Sequence, residues 1–195
     1  MQHIFYTAIL PKAYGSESRA GQYPEAPARC PQKGCGIPAC MKKHGFYSRN
    51  ILLKGYVDVI RVRRYKCAAC GKTLSMLPSF CIPFLQYGAE VIIWATGLAM
   101  KTSVSAAAKA CLSALPFITR RHIAYWLMRI KGNRDLIRYG INQMSPATTT
   151  TNESARDMEP TELFLSESGS DPQKFNSDFH KVTGKSFMSL HISVA

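Results

Sequence analysis

Cysteine is the residue in this chain best placed to do chemistry. Cys30 and Cys35 form one pair, and Cys67 and Cys70 form a second, tighter C-x2-C followed by Gly71. Two such pairs about thirty residues apart match the ligand spacing of a structural zinc site, where four thiolates surround one Zn2+ as a tetrahedron. A closed four-thiolate site leaves no open coordination position, so the metal would hold the fold and perform no reaction. The C-x4-C spacing of the first pair is wider than the commoner C-x2-C knuckle. Cys40 and His44 therefore compete, with Cys35, Cys40 and His44 able to serve in place of Cys30. A redox reading of Cys67 and Cys70 is disfavoured, because redox C-x-x-C motifs open a helix and lower the first thiol's pKa. Here Gly71-Lys72-Thr73 and a proline-broken stretch follow. Cys81 and Cys111 sit in apolar runs, where a thiol fills a core.

The second candidate chemistry is phosphate contact. The chain carries a formal charge of +13, concentrated in two blocks. Residues 29–72 hold eleven Lys and Arg against Asp58, and residues 101–138 hold eight against Asp135. From Ser145 onward the balance reverses, with seven acids and four bases. Such charge favours a polyanion. Arg61, Arg63, Arg64 and Lys66 run up to Cys67, more cations than protection of an edge strand needs. Arg120, Arg121, His122 and Arg129 form the second set, for base or phosphate contacts. Their alternative role is the polar face of an ordinary packed helix, with His122 as a cap.

Catalysis has little support. Between Lys72 and Arg134 the only carboxylate is Glu90, inside an apolar run, and no phosphate loop, nucleophile elbow or H-E-x-x-H is present. A binder, not an enzyme, is expected, with no small-molecule substrate. The odd cysteine count and the lack of a secretory pattern at the N-terminus point to a reduced, cytoplasmic chain. No membrane association is expected, since the most apolar run, 91–100, is half the roughly twenty residues a spanning helix needs.

The elements that must position these residues follow from pattern. Residues 1–28 read as a lead-in containing one strand, because Gly and Pro soon interrupt the run Ile4 to Leu10. Residues 29–80 read as a zinc-ribbon unit: a strand through Leu53, a turn at Lys54-Gly55, then a strand from Tyr56 into Cys67, irregular near Val59-Ile60. Residues 73–87 read as an extended connector. Residues 84–140 read as a helical helix-turn-helix segment. Val91, Trp94, Ala95 and Leu98 form its first stripe, Ser103 or Ser105 caps a second helix, and Thr119 caps a third. The third helix buries Ile123, Trp126, Leu127 and Ile130, and Lys131-Gly132-Asn133 stops it. Residues 145–195 are rich in Ser, Thr, Asp, Glu and Pro and read as a disordered tail. The fold class is α+β: a β-hairpin ribbon, a helix-turn-helix segment and a disordered tail.

The cysteine pairs, His44-Gly45 with Tyr47 and Arg49, Arg63-Arg64-Tyr65, and Leu77-Pro78 with Phe80 together resemble the zinc-ribbon region at the N-terminus of some bacterial insertion-sequence transposases. They are especially similar to an uncharacterised bacterial domain family of that type, and the following helix-turn-helix fits. The resemblance spans roughly residues 29–135 and implies zinc-dependent double-stranded DNA binding linked to mobile elements, with a transposase or a second copy as further partners. A transposase would continue into an RNase H-like domain with three spaced carboxylates, so the expectation is a free-standing relative or a truncated remnant. The alternatives are a protein–protein adaptor, a non-functional fragment, or a single-stranded RNA binder that stacks bases on Phe46, Tyr47 and Tyr65.

Overall fold

In the computed structural model, residues 1–9, 11–16, 23–115, 117–144 and 158–190 are described. They form four strands and seven helices: β1 (Gln2–Phe5), α1 (Pro11–Ser16), β2 (Met41–Leu53), β3 (Tyr56–Cys67), β4 (Thr73–Pro78), α2 (Ala89–Lys101), α3 (Val104–Cys111), α4 (Arg120–Gly132), α5 (Arg134–Met144), α6 (Pro160–Gly169) and α7 (Pro172–Thr183). The α+β class expected from sequence is the one observed.

A single four-stranded sheet, ordered β1-β4-β3-β2, carries the cysteines. Its centre is the expected hairpin, with Met41 opposite Cys67 at one end and Leu53 opposite Tyr56 at the other. Gly55 closes the turn at φ 68°, a left-handed conformation that only glycine adopts freely. The irregularity expected near Val59-Ile60 lies elsewhere. Asn50 pairs with Val59 and Arg49 with Ile60 in regular register, and the ladder shifts between Lys43 and Phe46. Gly45, at φ 77°, supplies the residue that such a bulge needs.

The extended connector is corrected in part. Thr73–Pro78 is a third ribbon strand, antiparallel to β3, with Tyr65 opposite Leu74. The lead-in belongs to the same sheet, because β1 runs parallel to β4 with Ile4 opposite Leu77. Ile4, Ile51, Leu53, Ile60, Val62, Leu77 and Phe80 then make one continuous apolar layer.

The three-helix order is as expected, and the caps are those the serine and threonine predict. Ser103 Oγ accepts from the Ala106 amide, and Thr119 opens α4. The stripe of α2 differs: Ile92, Ala95, Thr96 and Ala99 face the core, whereas Trp94 and Leu98 are half-buried. Asn133 ends α4, but α5 follows at once.

Disorder from Ser145 onward is corrected over residues 158–190. Residues 145–157 and 191–195 lie outside the described residues. α6 and α7 bury Phe164, Phe175 and Phe179, and with Phe187 these rings join Ile92, Trp126, Ile137 and Ile141 in one core. Composition hid this, because a few aromatic rings in a polar segment bury enough apolar surface to offset ordering. The segment is no detachable tail.

The sheet and the helices meet at the turn end of the hairpin. Gly55 N donates to Ala114 O at 3.3 Å, in the connection between α3 and α4. The Lys54 ammonium lies 4.8 Å from the centre of the Trp94 ring. The Arg49 guanidinium donates to the carbonyls of Ile82, at 2.5 Å, and Leu85, fixing the chain before α2 against β2.

Candidate metal centre and basic surfaces

The cysteines stand at the end of the hairpin away from the helices. Cys30 and Cys35 come from the loop before β2, Cys67 ends β3, and Cys70 lies in the turn to β4. Both loops are built by backbone hydrogen bonds. Cys30 N donates to Ile37 O at 3.0 Å and Cys35 N to Gln32 O at 3.0 Å. Cys67 N donates to Lys72 O at 2.9 Å, and Gly71 N returns to Cys67 O at 3.0 Å. Gly71 sits at φ 70°, which lets the second loop turn back within four residues.

These loops bring the sulfurs of Cys30, Cys35, Cys67 and Cys70 within 4.8 Å of one another. Cys30 and Cys70 are 3.8 Å apart, as are Cys35 and Cys67. A tetrahedron of thiolates at about 2.3 Å from its metal has edges of about 3.8 Å. The four cysteines could thus hold one metal ion: two of their sulfur–sulfur distances equal such an edge, and all lie within 4.8 Å. Burial supports it: Cys30 and Cys67 are buried, Cys35 is half-buried and Cys70 is exposed. The Cys70 amide donates to Cys67 Sγ at 3.4 Å. That bond, assisted by the Cys40 thiol and opposed by burial, draws Cys67 down to about 6. The lower pKa favours the thiolate a metal requires.

Of the two competing ligands, neither is among the four grouped sulfurs, but Cys40 is a neighbour of one of them. Its Sγ lies 3.3 Å from Cys67 Sγ. His44 is exposed on β2 and is not among the grouped ligands. Cys81 and Cys111 are buried away from the cluster, and burial pushes the Cys81 thiol up to about 12.

The hairpin cations divide between the two faces of the sheet, as the two-residue alternation of a strand requires. Arg61 and Arg63 share the face of Phe46, with their guanidiniums 4.7 Å and 4.6 Å from its ring centre. Arg64 and Lys66 point the other way, opposite Ser75 and Thr73. A groove beside the second cysteine loop is lined by Lys42, Lys43, His44 and Lys66. Lys42 and Lys43 escaped attention in the sequence. Their signal was pairing: Lys42 lies opposite Lys66 across the hairpin. Among the described residues, none of these cations makes an ion pair.

On α4 the four expected contact residues part company. Arg120 and Arg121 are exposed on the first turn. His122 is engaged in capping: Thr119 N donates to its Nδ1 at 3.2 Å, and His122 N donates to Thr119 Oγ1 at 3.4 Å. Tyr87 Oη also lies 3.3 Å from that Nδ1. Arg129 donates to Met188 O and, at 2.8 Å, to Tyr125 Oη, which ties the segment after α7 to α4. Both side chains are bound within the protein and are poorly placed to reach a partner.

Among the described residues, no helix is long and apolar enough to cross a membrane. No match was found among curated proteins or among solved structures. One family model matches: residues 30–113, from the first cysteine through the sheet to the end of α3, are similar to the family described as "Domain of unknown function (DUF6431)".

Proposed function

We propose that this chain is a zinc-dependent, double-stranded DNA-binding protein that acts by binding and not by catalysis. The observation that carries the reading is the cluster of four cysteine sulfurs within 4.8 Å of one another, two of the distances being 3.8 Å, set beside cations that have no acidic partner among the described residues. Zinc is the proposed occupant, because bonds of about 2.3 Å to four sulfurs are compatible with the 3.8 Å distances. Phosphate contacts come from Arg61, Arg63, Arg64 and Lys66, joined by Lys42 and Lys43, and from Arg120 and Arg121 at the start of α4. Twelve residues of β3 separate the cysteine end from the turn that touches the α3–α4 connection. At about 3.3 Å per residue this is roughly 35–40 Å, close to one turn of duplex DNA. The order of ribbon and helix-turn-helix supports kinship with the DNA-binding portion of transposases, as part of the same proposal.

The test is binding of a short DNA duplex by fluorescence anisotropy across a salt series. The slope of log affinity against log salt should reflect several phosphates, at about 0.9 per contact. Paired replacement of Lys42 and Lys66 by Gln, or of Arg120 and Arg121 by Gln, should flatten it by about 2 each. Weak binding that ignores salt would contradict the proposal and favour a protein partner.

A further inference from the structure

We propose that the open face of the hairpin reads sequence, with Asn50, Val57 and Val59 recognising A·T pairs in the major groove; this rests on the DNA-binding reading and deepens it. Among the described residues β4 pairs with β3 only from Arg63 to Lys66, so toward the turn the sheet narrows to β2 and β3. There the register is regular: Ser48 is opposite Arg61, Asn50 opposite Val59 and Leu52 opposite Val57. Residues opposite one another share a face of the sheet. The other face carries Ile51, Leu53, Ile60 and Val62 into the apolar layer. This one is open. Val57 and Val59 are 57 % and 49 % exposed, and Ser48, Asn50 and Arg61 are exposed beside them.

Two β-branched side chains left in solvent on a regular ladder do little for the core, and their surroundings select the occupant. Arg61 and Arg63 stand next on the same face, held over the Phe46 ring, so the proposed phosphate contacts and the open patch share one surface. The hairpin's one acid, Asp58, is opposite Ile51 and so belongs to the other face. Its carboxylate accepts from Val59 N at 2.6 Å and from Tyr56 Oη. The charge on this face thus suits a polyanion. The major groove, about 12 Å wide, admits a two-stranded ribbon, whose strands are about 4.8 Å apart. In that groove an asparagine amide bonds adenine N6 and N7 together, and an apolar side chain packs on the thymine methyl. Asn50 and Val59, directly across the ladder, offer both contacts at one level of the ribbon. Among the described residues the Asn50 amide has no partner within the protein, unlike His122 and Arg129 of α4.

The test is selection of duplexes from a random pool by the full chain, followed by anisotropy on the selected duplex and a scrambled one. The selected site should contain A·T pairs and bind about 10-fold or more tightly than the scramble. Asn50→Ala should lose about 5-fold or more on the selected site and nothing on the scramble. Deoxyuridine in place of thymidine, which removes only the methyl group, should weaken the wild type and leave a Val57→Thr, Val59→Thr chain indifferent. Threonine suits an exposed strand position as valine does, so the fold should stand. A pool that yields no shared sequence would overturn the inference while leaving salt-dependent binding intact. So would an Asn50→Ala chain that loses equally on both duplexes, or variants that keep the wild-type preference. Valine variants that change the chain's state of association but not its sequence preference would assign the face to a protein contact instead. A wild-type chain with no salt-dependent duplex binding would remove the DNA reading itself, and this inference with it.

Discussion

His180 of α7 is buried at 5 % exposure, and its Nε2 stands 3.3 Å from Nδ1 of His3 on β1. The rings meet edge to face at 4.9 Å. Burial first, and the neighbouring His3 second, draw His180 down to about 4, and burial lowers His3 as well. Both rings are therefore neutral in the fold, while in the unfolded chain they titrate near 6.5. The stability they contribute is complete above about pH 6.5 and declines as pH falls below it, for His180 through 6.5 toward about 4, because the unfolded state binds the proton first. Between pH 7.5 and 5 the His180 share of that loss should be roughly 2 kcal/mol. Urea melts at the two pH values, on the wild type and His180→Gln, measure it. The wild type should lose more than the variant; thiolate protonation acts on both equally, so equal losses would refute the assignment. At this scale the sequence was legible where chemistry dictates spacing. Cys30, Cys35, Cys67 and Cys70 were chosen on ligand spacing and do converge within 4.8 Å. His122 and Arg129 were less legible. Whether such a side chain faces out or satisfies a cap or a carbonyl depends on neighbours distant in sequence, such as Tyr87 and Met188.

At the scale of elements, the C-terminal helices show what composition conceals. Glu159-Pro160 and Asp171-Pro172 are helix starts: each acid accepts from a first-turn amide, and each proline occupies a position whose N–H would be unpaired anyway. Gly184 at φ 67° ends α7. In the sequence the same prolines counted only toward a polar, proline-rich composition. The pairing of β1 with β4 was illegible for another reason, since it joins residues more than seventy positions apart through four short partners. The hairpin, by contrast, was legible because Lys54-Gly55 turns and β-branched residues are local signals. The contact between α5 and α7 is close enough to be tested by one methyl group. A Cβ on Gly140 would stand 2.4 Å and 2.7 Å from ring carbons of Phe179. Gly140→Ala should destabilise the chain by about 1–3 kcal/mol through overpacking, despite alanine's better helix propensity. Chemical denaturation would show it; an unchanged or raised midpoint would mean that α7 does not pack here.

At the scale of the whole molecule, the hairpin is a lever with an apolar joint at one end and a thiolate clasp at the other. The helical end is held by a continuous core of α2 through α7. At the cysteine end only a small layer, with Met41, Tyr65, Leu74 and Met76, backs the sulfurs. On the proposed reading, metal–sulfur bonds add to this small layer in holding the two loops closed. The measurement that tests this most directly is metal content per chain, by elemental analysis of the full chain purified without added metal, beside Cys67→Ala. The account predicts about one zinc per chain, lost in the variant because Cys67 lies against both Cys35 and Cys40. A folded wild-type chain free of zinc would contradict it.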